Sequence, residues 1–160
     1  MTSKDYMKSL SMLNLALIMG LVIFSMIVSF LILTKSVPMN DVYLYNVLKY
    51  LVPILSFGGL LAGNAVFKSR LNAISENSAL IQKLNEYRAA LIIRYALLEG
   101  PAIFSVISAF ITTNINFLLF TGMLAAMMFY FRPRIQSIVN DLDLNEQERI
   151  LLEDSTSVLD

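Results

Sequence analysis

Residues 92–103 read IIRYALLEGPAI, so that Arg94, Glu99 and Pro101 stand inside a run that is otherwise apolar. An ionised carboxylate in the interior of a membrane is expensive, so a glutamate at that depth favours a bound proton or cation and marks a functional site by default. Glu99 lies eleven residues past Arg88, about 16 Å along a helix and close to the midplane of a bilayer roughly 30 Å thick. Arg94 does not face it: five residues at roughly 100° each leave the two about 140° apart around the helix. Arg94 sits about 9 Å from the inner edge, placed to snorkel there or to reach Asn64 at similar depth on the preceding span. Tyr95, one turn before Glu99 on the same face, is the nearer donor. Glu99 and Tyr95 are therefore the candidate ion-binding residues, with Arg94, Asn64 and Pro101 in support. Pro101 removes the backbone bond to the carbonyl of Leu97 and loosens the helix beside Glu99. The competing reading is mechanical: Glu99 is protonated or paired, and Glu99 and Arg94 only fasten helices together.

Four apolar segments are available to position these residues. The first, 11–34, has no charge over 24 residues, more than the roughly 20 that cross a hydrocarbon core. The second, 47–67, has Lys49 at its lip and Pro53 one turn in; the third, 89–112, holds the two charges; the fourth, 115–131, is at the short end of spanning length. Between spans two and three, residues 68–88 read as two helical extensions with Asn77 or Ser78 as the N-cap of the second, so helix three runs from about Ala79 to Thr112, about 50 Å. Spans two and three form a tall hairpin. The reading is an all-α, integral-membrane four-helix bundle over residues 1–134, followed by a tail over 135–160.

Lysine and arginine distribution orients it. Lys4, Lys8, Lys68, Arg70, Lys83, Arg88, Arg132, Arg134 and Arg149 fall on one side, and only Lys35 and Lys49 on the other. That asymmetry puts both termini and the hairpin tip of a multi-pass membrane protein in the cytoplasm. Pro133 is expected to break the fourth helix. Beyond it, seven acidic residues outnumber three arginines across 132–160, which predicts a soluble tail held off an anionic leaflet. Asp141, Asp143 and Asn145 imitate the start of a calcium loop, but Glu146 occupies its glycine position and Leu152 its closing carboxylate position. Asn145 and Glu148 instead form a capping box for a short amphipathic helix.

The composition excludes much. At 57% hydrophobic and 15% charged residues, the chain is too apolar for an ordinary soluble domain. With no cysteine and no histidine, disulfides, thiol nucleophiles and imidazole bases are out of reach, and no enzyme chemistry, metal or cofactor is expected. Twelve basic and twelve acidic residues cancel, which gives no reason to expect nucleic acid as a partner. No small-molecule substrate is evident either. The expected partners are the lipid bilayer and other membrane helices. Gly59 and Gly63 make a G-x-x-x-G pair that lets a helix approach closely, and Ala96 and Gly100 are read as its counterpart on helix three. The same spacing serves packing within one chain and self-association, so both a homo-oligomer and other membrane subunits stay open.

The run Ala96, Leu97, Leu98, Glu99, Gly100, Pro101, Ala102, Ile103, Phe104 resembles the A-L-x-E-G-x-A-I/L-F stretch of the proteolipid c subunit of rotary ATP synthases. The resemblance covers residues 57–111. It implies that Glu99 carries a proton or sodium ion, that the glycine-bearing helix two packs beside it, and that the loop is cytoplasmic. The whole chain, tail included, is also similar to small four-helix bacterial membrane proteins.

Overall fold

Thr2, with extended backbone, accepts the amide of Asp5 on its hydroxyl at 3.2 Å and so opens α1, Ser3–Leu33, eight residues ahead of the apolar run. α2 follows as Val42–Asn72, passing through Pro53 without a break, and α3 as Leu80–Thr112. The computed structural model describes residues 2–35, 42–75, 78–154 and 157, and 86% of these are helical. Ala79 is the N-cap of α3 and offers no side-chain bond; Asn77 lies outside the described residues. Thr113 ends α3 in the left-handed region, and a 3-10 turn, Ile115–Phe117, leads into α4, Leu118–Tyr130. Pro133 then separates α4 from α5, Ile135–Asp141, across an 80° bend, as a residue without a backbone donor should.

α1, α2 and α3 are long and apolar enough to cross a membrane. α4 with its leading turn is shorter, and passes the same test only when taken together with the sharply bent α5. α3 is the central helix, packed against α1, α2 and α4. The outer helices bury single stripes. Among its described residues α2 buries Leu48, Val52, Ser56, Gly63 and Phe67, at spacings of one or two turns, while Ile54, Phe57 and Leu61 are exposed. α1 does the same with Tyr6, Leu10, Asn14, Leu21 and Val28, leaving Met26, Phe30 and Leu33 outside. Such apolar surface is a liability in water and the proper contact for lipid.

The tail does not stand apart. α5 and α6, Glu146–Glu153, fold back onto the start of α1 and the start of α3 to form a cap. Ile138 and Leu152 are fully buried there with Tyr6, Leu10 and Leu84. Polar bonds fix the register: Ser3 Oγ donates to Leu152 O at 2.5 Å, Tyr6 Oη to Leu84 O at 2.6 Å, and Lys83 Nζ pairs with Glu148 Oε1 at 2.8 Å. Glu148 serves twice, since its other oxygen accepts the Asn145 amide in the expected capping box. The acidic tail expected to be held off an anionic leaflet is docked against the other helices, and one of its carboxylates, Glu148, pairs with the buried Lys83, so packing continues past residue 134.

Candidate functional site

The glycine pair meets α3 at closest range. A Cβ at Gly59 would sit 2.5 Å from the Leu97 carbonyl oxygen and 2.7 Å from Pro101 Cγ, and one at Gly63 would sit 3.4 Å from the Arg94 carbonyl. Pro101 explains the first contact, because it leaves the Leu97 carbonyl without its helical donor. Gly59 is what lets α2 lie across that carbonyl. Pro101 therefore acts on the α2 side of α3, where it helps set the contact between the two helices.

Arg94 belongs to the same seam. Its guanidinium donates to Asn64 Oδ1 on α2 and lies over two rings, 4.6 Å from the centroid of Phe67 and 3.3 Å from that of Phe131. One cation thus ties α2, α3 and the residue that closes α4. Its Nε has no hydrogen-bond acceptor among the described residues. The contact with Asn64 was legible from depth; the aromatic sandwich was not, because Phe131 is 37 positions away. Tyr95 departs from expectation. Its hydroxyl donates to Phe131 O at 2.8 Å rather than to Glu99, since α4 ends there and leaves a carbonyl without a helical donor.

Glu99 is different. It lies two residues past Leu97, about 200° around the helix, and so points away from α2. It is half-buried, and among the described residues it forms no hydrogen bond and no ion pair. Its neighbours Ile92, Ala96, Gly100 and Ile103 are exposed, and a Cβ on Gly100 would meet nothing within 4 Å. Ala96 and Gly100 are therefore not the counterpart of Gly59 and Gly63. That part is taken by Arg94, Leu97 and Pro101. The spacing of small residues was right, but α3 carries two such faces and the pattern does not say which one α2 covers. Gly59 and Gly63 likewise lie on the side of α3 away from the Glu99 carboxylate.

Three polar residues with structural work escaped the sequence reading. Asn14 Nδ2 donates to Met128 O at 3.1 Å and pins α1 to α4; as the one amide in the charge-free run 11–34, it could have been singled out. Ser105 Oγ donates to Phe117 O, and Thr121 Oγ1 to Ala102 O at 3.1 Å, which fasten α4 along α3. Toward the cap, Tyr87 Oη donates to Asp141 Oδ2 at 3.4 Å. Burial pushes the Asp141 carboxyl above the ordinary carboxylate range, and the Tyr87 bond and the Arg94 charge pull it back in part.

No protein-family model matches this chain, and no curated protein or solved structure is similar to it. Among the described residues no group of three or more metal-ligating side chains is assembled.

Proposed function

We propose that this is a non-enzymatic membrane subunit whose Glu99 binds an exchangeable proton or cation on the open face of α3. The observation that carries this is that Glu99 has no hydrogen bond and no ion pair among the described residues. A group that only fastened helices would be engaged as Arg94 is, and Glu99 is not. Arg94, spent on Asn64, Phe67 and Phe131, does not neutralise it, so the acid is left to a proton, an ion or a neighbouring chain.

In this reading α4 is a fourth crossing and the four helices form a bundle. Tyr6, Lys83 and Glu148 meet at one end, so the N-terminal start, the hairpin tip and the tail lie on one side. Most lysines and arginines fall on that side, which makes it the cytoplasmic face; the similarity to small four-helix bacterial membrane proteins supports a bacterial inner membrane. The similarity of residues 96–104 to the c-type proteolipid run supports the ion-carrying role. The exposed Ala96 and Gly100 beside Glu99 support association with a second copy or another membrane subunit through the same face. The alternative, a scaffold protein of a larger complex, requires Glu99 to be held by a partner's side chain.

Carboxyl-reactive carbodiimide labelling in native membranes separates the two. An ion-binding site predicts modification at Glu99 that falls as pH rises, is slowed by a competing cation, and is absent in Glu99→Gln. Glu99 unlabelled at every pH in the membrane, yet reactive once detergent disperses the complex, would establish the scaffold instead.

A further inference from the structure

Along α1, from Leu21 to Leu33, the seam with α4 is hollowed by small side chains: Ser25 and Ser29 on one wall, Gly122 and Ala125 on the other. The hollow holds about 500 Å³ and is almost wholly apolar; of its hydroxyls, that of Thr121 is already committed to Ala102 O. Twelve residues of helix span about 18 Å, so the mean cross-section is about 28 Å², or about 6 Å across. A helix, at least about 10 Å wide, does not sink into a slot that narrow. Beyond Thr121 its polar lining is the hydroxyls of Ser25 and Ser29, the former without a partner among the described residues, too few to hold a file of water along its length. A hydrocarbon chain fits in width and in chemistry.

At Leu33 the groove meets a second hollow of about 350 Å³ with the opposite character, lined by Thr112, Thr113, Asn114 and Asn116 at the corner between α3 and α4. Leu33 belongs to both. Lys35 stands exposed two residues further on, and no acidic residue lines either hollow. An apolar slot that opens into a polar chamber next to a lysine complements one molecule with an acyl chain and an anionic head. We infer that the α1–α4 groove, with its polar mouth and Lys35, is a phospholipid-binding site at the end of the protein opposite the cap, holding one acyl chain against Gly122 and the phosphate near Lys35.

Native mass spectrometry of the full chain, stripped of lipid and titrated with a phosphatidylglycerol, tests this. The wild type is expected to retain one phospholipid per chain. Gly122→Leu fills the slot from α4 at a position with open space around it, and should cut occupancy at least tenfold at equal lipid. Ser29→Leu fills it from α1 and should do the same. Lys35→Glu should weaken phosphatidylglycerol severalfold and leave a neutral diacylglycerol unchanged. Equal occupancy in the wild type and both filled variants would mean bulk lipid contact only and overturn the site. A wild-type dimer that the filled variants dissociate, with lipid retention unaltered, would assign the groove to a second copy. Loss of both lipids alike, or of neither, in Lys35→Glu would overturn the headgroup assignment.

Discussion

The apolar stretch of α3, 89–112, carries one charge on each of two sides and treats them oppositely. On the side under α2, Arg94 has an amide and two rings, Gly59 lies against an orphaned carbonyl, and Pro101 completes the contact. On the other side Glu99 stands among Ile92, Ala96 and Gly100 with no partner in the described chain. Depth alone does not make a membrane charge functional. What distinguishes the two is whether the chain itself supplies the groups that offset desolvation.

The engaged side continues into the cap, where the largest effect is expected. Lys83 and Glu148 are nearly buried, with side-chain exposures of 6% and 13%, so Lys83→Ala strands a carboxylate and should cost about 3–4 kcal/mol. Equilibrium unfolding in detergent measures this, and Lys83→Ala combined with Glu148→Gln should recover part of it. Next comes the glycine seam: Gly59→Leu drives a side chain into the Leu97 carbonyl and should cost about 2–3 kcal/mol. Gly100→Leu, the same exchange on the open side, should be neutral or slightly stabilising by up to about 1 kcal/mol. Equal costs at the two glycines would erase the distinction between the sides. Arg94→Met removes the bond to Asn64 and the ring contacts and should cost about 1–2 kcal/mol. Glu99→Gln should shift stability by no more than about 0.5 kcal/mol in the same assay.

A pH effect is also expected where the engaged side meets α5. Because burial raises the Asp141 carboxyl, its contribution to the docked cap is present below the unfolded value and is lost as pH rises through the folded one. Tail protection against proteolysis should therefore decline from acid toward neutral pH in the wild type. Asp141→Asn should flatten that profile.

Much of this could be read from the residues. The long helices, the break at Pro133 and the Asn145–Glu148 capping box follow from local pattern, and the Arg94–Asn64 contact follows from matching depths on two neighbouring helices. The cap could not be read. Ser3–Leu152, Tyr6–Leu84 and Lys83–Glu148 join positions 65 to 149 apart, and nothing in the tail's composition separates a docked acidic helix from a solvated one. Tyr95 was assigned to Glu99 because the two are a turn apart on one helix. The carbonyl freed at Phe131, which takes its hydroxyl instead, becomes visible only once α4 is laid beside α3.

Exchange of a proton or cation at Glu99 is read from the carboxyl infrared difference spectrum of wild type against Glu99→Gln, recorded in lipid vesicles across pH. A protonated-carboxyl stretch belonging to Glu99 is expected, lost in Glu99→Gln and displaced by alkali or by added monovalent cation. A spectrum in which Glu99 is ionised throughout, or protonated and indifferent to both, would contradict that exchange.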